Sequence, residues 1–183
     1  YKFIHEIKRE SKRCKKIVQD LLSYARTPQP VLEETNVNDL LEQIVDFAAN
    51  HTDMHHVTVQ KSFDLSLPRV MVDGDQLRQV AINLILNAGA AMQKGGKLVV
   101  STAAAEDEWV CLRFSDNGAG ISPEHIEKIF EPFFTTKVKG TGLGLAITRQ
   151  IVEQHHGKIE ISSEMGVGTT VEVKLPINRD EYC

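Results

Sequence analysis

Asp116-Asn117-Gly118-Ala119-Gly120 and Gly140-Thr141-Gly142-Leu143-Gly144-Leu145 stand about two dozen residues apart, and together they read as one nucleotide site. The first cluster closes a mostly apolar run over 109–115, which places Asp116 at the end of a strand. A carboxylate there can accept a hydrogen bond from an amino group such as that of adenine. The blander reading of Asp116 is a turn former ahead of Asn-Gly. The second cluster opens a helical run over 143–155. Amides at a helix N-terminus attract anions, so this end is expected to meet phosphates. Glycines let a backbone come close to a ligand and let a loop move. The spacing is not Gly-x-x-x-x-Gly-Lys-Ser/Thr, so a Walker-type site is excluded.

Working outward, Asp73 or Asp75 caps a helix that runs to about Met92, with Leu77, Val80, Ala81, Leu84, Ile85 and Ala88 as its buried stripe. Asn83 and Asn87 lie one turn apart on that helix and point the same way. Their amide oxygens are hard donors of the kind Mg²⁺ takes. Asn87 is expected as the main ligand, and Asn83 as a second ligand or a water-orienting group. The alternative is two amides on a solvated helix face.

Asn36 or Asn38 caps an earlier helix that runs to about Asn50. Strands are expected over 57–63, 68–72, 97–103, 109–115, 159–163 and 169–175, the third and fourth as a hairpin, with Gly95-Gly96 as a turn ahead of it. Ser122-Pro123-Glu124 reads as the cap and first turn of a short helix. Gly157 reads as the residue that ends the 143–155 helix. The sum is one α+β domain, a two-layer α/β sandwich with helices on one face of a largely antiparallel sheet.

Composition narrows the classes. The chain has 183 residues, 42% of them hydrophobic, and no apolar run approaches the ~20 residues of a membrane span. Three scattered cysteines, Cys14, Cys111 and Cys183, suit a reducing cytosol rather than a disulfide framework. Residues 1–26 carry eight Lys/Arg against three Asp/Glu, whereas the remainder carries 13 against 22. No aromatic platform accompanies the basic charges, so a protein-docking or solvated face is expected there and not a nucleic-acid surface. Phe3, Ile7, Cys14, Ile17, Val18, Leu21, Leu22 and Ala25 recur at helical spacing, a stripe that wants a partner helix. Thr27-Pro28-Gln29-Pro30 then sets a boundary, dividing a helix and linker at 1–30 from a domain at 31–183. A first residue other than Met is expected of a piece of a longer chain.

The motif order is Asn83-Leu84-Ile85-Leu86-Asn87-Ala88, Asp116 to Ile121, Phe130-Glu131-Pro132-Phe133-Phe134-Thr135-Thr136-Lys137, Gly140 to Ala146, and Gly166-Val167-Gly168-Thr169. This resembles the ATP-binding catalytic domain of bacterial sensor histidine kinases, a Bergerat fold, over about residues 36–177. Asn-Ala-x-x-Ala-Met and Phe-Phe-Thr-Thr-Lys are similar to its nitrogen-regulation subgroup. The resemblance implies ATP and Mg²⁺ as cofactors and transfer of the γ-phosphoryl to a histidine. It implies that Asp116 accepts from the adenine amine and that Gly118, Gly120, Ile121 and Thr169 line the same pocket. Gly140, Thr141, Gly142, Leu143, Gly144 and Leu145 would wrap the phosphates. The segment from 118 to 141 looks like the family's mobile lid, with Phe130, Phe133 and Phe134 as anchors; Lys137 reads either as a point charge that reaches a phosphate or as a solvated lid lysine. Catalytic roles fall to Asn83 and Lys137.

Residues 2–26 resemble the second helix of the family's phosphoacceptor hairpin, which implies a homodimer in the intact protein. A response regulator receiver domain is the implied partner. The domain is expected to be cytoplasmic, with the intact protein open to anchoring in the inner membrane. His5-Glu6 imitates the phosphoacceptor motif, but 16 residues from His5 to Leu22 are too few for a helix, a turn and a returning helix. His5 therefore reads as an ordinary helix residue, with the acceptor upstream. His51, His55 and His56 read as solvated loop residues. His155 and His156 sit at a helix C-terminus, where imidazolium suits the dipole. The rival readings are a conformational ATPase like gyrase B, MutL or the heat-shock chaperones, an anti-sigma-factor serine kinase, and a docking module that binds nucleotide without catalysis. The first carries a carboxylate where Asn83 stands.

Overall fold

The computed structural model describes residues 2–25, 28–106, 108–137 and 140–177. Helix α1, Lys2–Ala25, comes first. Its half-buried strip is Ile17, Asp20 and Tyr24, while Phe3, Ile4, Ile7, Val18, Leu21 and Leu22 are exposed. Most of the stripe that wants a partner helix thus faces outward, and Ile17, Asp20 and Tyr24 are the positions turned from solvent. The side chain of His5 lies outside the described residues.

Helix α2, Val37–Ala49, is capped by Asn36, whose side chain accepts from the N–H groups of Asn38 and Asp39. Helix α3, Gly74–Ala91, is capped in the same way by Asp73, which accepts from Asp75 and Gln76. Burial works to raise the Asp73 carboxyl, but N–H groups of Gln76, Val31 and Asp75 outweigh it and hold the group below the usual carboxylate range. Helix α4, Pro123–Ile126, is a single turn, and helix α5, Gly144–Gln154, follows the glycine loop.

Strands β2, Val57–Ser62, β4, Gly96–Ala105, β5, Trp109–Asp116, β6, Lys158–Glu164, and β7, Gly168–Pro176, form one sheet in the order β2-β4-β5-β7-β6. Among the described residues only β2 and β4 run parallel. Register places Val100, Phe114, Val171 and Ile161 in one cross-strand row, and Leu98, Asp116, Thr169 and Ser163 in the row at its end. Both rows lie on the face that α2, α3 and α5 cover. Leu41, Ile44, Val80, Ile85, Leu98, Leu112, Val173 and Ile151 close that layer with almost no exposure. The opposite face carries Arg113, Glu172 and Lys174, as a half-solvated antiparallel sheet requires. Among the described residues no helix is long and apolar enough to cross a membrane.

Two local features depart from expectation. Strand β1, Glu33–Thr35, pairs antiparallel with β3, Val70–Val72, although its residues carry no apolar alternation. The left-handed residue after α5 is His156 and not Gly157, with φ 56°. His156 N–H bonds the Glu153 carbonyl and Gly157 N–H bonds that of Val152, a Schellman closure built on a side-chain-bearing residue. We expect His156→Gly to raise stability by about 0.5–1 kcal/mol, because the exposed imidazole gives up little while the left-handed strain is relieved. Thermal melts check this; a lower midpoint for the variant would show that the side chain compensates.

His155 corrects the dipole reading. Its ring is buried, Nε2 accepts from Asp73 N–H at 3.0 Å, and Nδ1 lies 2.8 Å from the Ile151 carbonyl. That pattern belongs to a neutral ring with its proton on Nδ1. His155 ties the end of α5 to the cap of α3.

Candidate nucleotide-binding site

Strand pleat decides where Asp116 points. It shares a row with Leu98, Thr169 and Ser163, so its carboxylate turns toward the helices at the open end of the core. There it accepts from Gly118 N–H at 2.8 Å and from Thr169 N–H. Burial outweighs these bonds and pushes the Asp116 carboxyl above the usual carboxylate range. A carboxylate kept short of water retains acceptor capacity for a ligand donor.

The loop after Asp116 is fixed on every side. Asn117 Oδ1 accepts from Lys97 N–H at 2.7 Å. Ala119 N–H bonds the Ala91 carbonyl at the end of α3, and the Ala119 carbonyl receives Gly166 N–H from the β6–β7 turn. Gly120 has φ 71°, and a Cβ there would run into the backbone of Glu164. Ile121 N–H donates to Ser163 Oγ at 2.8 Å.

At the other end, α5 begins without a side-chain cap and without an acidic residue in its first turn, whereas α2 and α3 have both. Its first amides are left for an anion. Leu143 is fully buried, so its side chain roots the loop in the core and only its main chain can face a ligand. Leu145 is half-buried beside it. Thr141 donates to Asp20 of α1 at 2.8 Å.

The asparagines of α3 face this end. Asn83 Nδ2 donates to the Gly144 carbonyl at 3.2 Å, so that side chain is braced against the first turn of α5. Asn87 Oδ1 receives the Lys137 ammonium at 2.8 Å. The structure therefore brings Asn83, Asn87, Lys137, Gly144 and the loop from Gly140 together, with Asp116, Gly118, Gly120, Ile121 and Thr169 forming a second group on the sheet.

The lid departs from its expected anchoring. Phe130 is half-buried under the Arg149 guanidinium, 5.8 Å from ring centre, and Phe134 packs on His125 with ring centroids 5.4 Å apart. Phe133 is 60% exposed at φ 68° and holds the lid only through its N–H, which bonds the Gly142 carbonyl. The buried apolar anchor is Ile129. Val138 and Lys139 lie outside the described residues.

The sequence profile of one family, described as histidine kinase-, DNA gyrase B-, and HSP90-like ATPase, matches residues 72–179. The chain belongs to that family. Sensor histidine kinase ZraS of Escherichia coli (strain K12) is 34% identical over 170 residues, which make up 93% of this chain and 36% of that protein. The solved catalytic domain of histidine kinase ThkA is 32% identical at a TM-score of 0.72, covering 80% of this chain and 95% of that one. Histidine kinase ThkA in complex with response regulator protein TrrA aligns at 28% identity and a TM-score of 0.82, over 99% of this chain and 52% of that chain. The fold is that of a histidine kinase ATP-binding domain. The chain spans about a third of the length of the first curated relatives it matches.

In this histidine kinase domain the sequence reading missed Ser163, Asn117 and Ile129. The signal for Ser163 was present: Ile159-x-Ile161-x-Ser163 carries the inward parity of β6 into a polar residue just where the row reaches Asp116.

Proposed function

We propose that this domain binds Mg²⁺-ATP and transfers the γ-phosphoryl to a histidine on a helix other than α1, for relay to a response regulator receiver domain. One observation carries the reading. The uncapped N-terminus of α5 faces Asn83, Asn87 and the Lys137 ammonium, while a half-buried carboxylate lies on the sheet. Asp116 takes the adenine amine, with Gly118, Gly120, Ile121 and Thr169 around the base. The amides from Gly142 to Leu145 and the Lys137 ammonium take the phosphates.

The residues present fit Mg²⁺. Asn87 Oδ1 already faces a cation, the Lys137 ammonium, and an amide oxygen is a ligand Mg²⁺ accepts. Asn87 would hold the metal with Asn83 one turn away, and the ion would neutralise phosphate charge. Asn83 cannot take a proton from water, which disfavours the conformational-ATPase reading. Phosphoryl transfer then rests on positioning and charge neutralisation. The fold likeness to ThkA bound to TrrA supports the receiver-domain partner, and the exposed apolar stripe of α1 supports a helical partner in a dimer.

Calorimetry and labelling test this together. ATP is expected to bind with Mg²⁺ dependence and GTP far more weakly, and Asn87→Ala is expected to remove the Mg²⁺ dependence. Radiolabelled ATP is expected to put acid-labile label on an acceptor hairpin supplied from the full-length protein. Equal binding of ATP and GTP sinks the adenine assignment. Label on this chain that vanishes in His5→Ala moves the acceptor into α1.

A further inference from the structure

Ser163 is used by nothing in the reading above, yet its hydroxyl meets three groups. Oγ accepts from Ile121 N–H at 2.8 Å, donates to the Gly168 carbonyl at 2.9 Å, and lies 2.9 Å from Thr169 Oγ1. A serine hydroxyl has one proton. When that proton goes to Gly168, Thr169 must donate to Ser163, so Ile121 and Thr169 each fill one of the two Ser163 lone pairs and no bond points toward the pocket. When it goes to Thr169, the Thr169 proton is freed toward the pocket, and the Ser163 lone pairs belong to Ile121.

We propose that Ser163 is a positioning residue that ties the bound base to the root of the lid. The inference rests on the adenine assignment of Asp116. Adenine offers a donor, its 6-amino group, beside an acceptor, N1. Asp116 takes the donor, and Thr169, next to it in the same row, meets the acceptor by donating its hydroxyl proton. Thr169 then needs a donor of its own, and Ser163 is the one in reach. The result is a chain running one way, from Ile121 N–H to Ser163 O–H to Thr169 O–H to the base. Bonds aligned head to tail polarise and strengthen one another. Ile121 is where the chain leaves the Asp116 loop for the lid, so a seated base tightens the point from which the lid hangs.

The row explains why Ser163 and no other residue does this. Its inward neighbours Ile161, Val171, Phe114 and Val100 are apolar, and the polar set begins only at the last row. A hydroxyl further along β6 would face the core without partners.

The test is amide hydrogen exchange at Ile121 in this chain, free and saturated with nucleotide, alongside calorimetry. The nucleotides are Mg²⁺-ATP and Mg²⁺-1-deaza-ATP, which keeps the amino group and lacks the N1 acceptor. With ATP, Ile121 exchange is expected to slow by about 1.5-fold, since the bond is already made and alignment strengthens it by roughly a fifth. With saturating 1-deaza-ATP it is expected to stay at the free rate. Ser163→Ala is expected to lose the slowing even at saturating ATP, and Ser163→Thr to keep it. A merely structural role would weaken ATP binding and still restore protection at saturation. Equal protection by the two nucleotides in the parent chain, or full protection in saturated Ser163→Ala, overturns the proposal. Failure of the parent to bind either nucleotide overturns the adenine reading itself.

Discussion

Asp116→Asn is expected to bind ATP about 10–100-fold more weakly than the parent chain. The lost contact is a hydrogen bond to a charged group, worth about 1.5–3 kcal/mol, and each 1.4 kcal/mol is tenfold. The preference for ATP over GTP is expected to shrink with it, since an amide can donate to the guanine carbonyl that a carboxylate repels. A second readout follows from burial. The Asp116 carboxyl sits above its ordinary range in the fold, so its ionised form disfavours folding. That penalty is present above the folded value and disappears as pH falls below the unfolded carboxylate range, near 4. The melting midpoint of Asp116→Asn, relative to the parent, should therefore improve as pH rises from about 4 to 7. Unchanged ATP affinity in the variant would remove Asp116 from the site.

Gly168→Ala is expected to be among the most disruptive single-methyl additions in the domain. Gly168 has φ 144°, and an added Cβ would collide with the Asp116 carbonyl oxygen while lying 2.9 Å from Asn117 Cα. Both obstacles are backbone, so relief requires β5 and β7 to part at the Asp116–Thr169 pair. Backbone strain and overpacking of about 1–3 kcal/mol each sum to several kcal/mol. For a chain of this size that lowers the melting midpoint by about 6–15 °C. Affinity for ATP is expected to fall with it, because Asp116 and Thr169 are the residues displaced. Gly166→Ala is the control: φ is 78° but nothing lies within 4 Å of its Cβ, so only the left-handed strain of about 1 kcal/mol remains. Equal melting of the two variants would show that the collision is relieved without cost.

Helices α2, α3 and α5 were legible because each buries one stripe at helical spacing and begins at a marked residue, Asn36, Asp73 or a glycine loop. The β4–β5 hairpin was legible from two apolar, β-prone runs separated by a short polar break. β1 was not, because Glu33, Glu34 and Thr35 are held by backbone pairing to β3, which no side-chain pattern records. The parallel pairing of β2 with β4 was equally silent, since it joins strands separated by β3 and α3. At the site, glycines and amides announce themselves by spacing. Ser163 does not, for its role depends on which residue register sets opposite it. Phe133 and Ile129 show the same limit: aromatic residues in a lid look like anchors until exposure separates them.

The bond between Lys137 and Asn87 has a consequence for how the domain lives without ligand. Metal sites built from bare anionic ligands often collapse when chelated, because the ligands repel one another and the metal's binding energy is part of the folding energy. If Asn87 and Asn83 hold Mg²⁺ as proposed, the ligand set would be neutral amide, with the Lys137 ammonium on Asn87 in its place. On that reading chelation is expected to leave the fold intact, and Mg²⁺ binding would exchange one cation for another at Asn87.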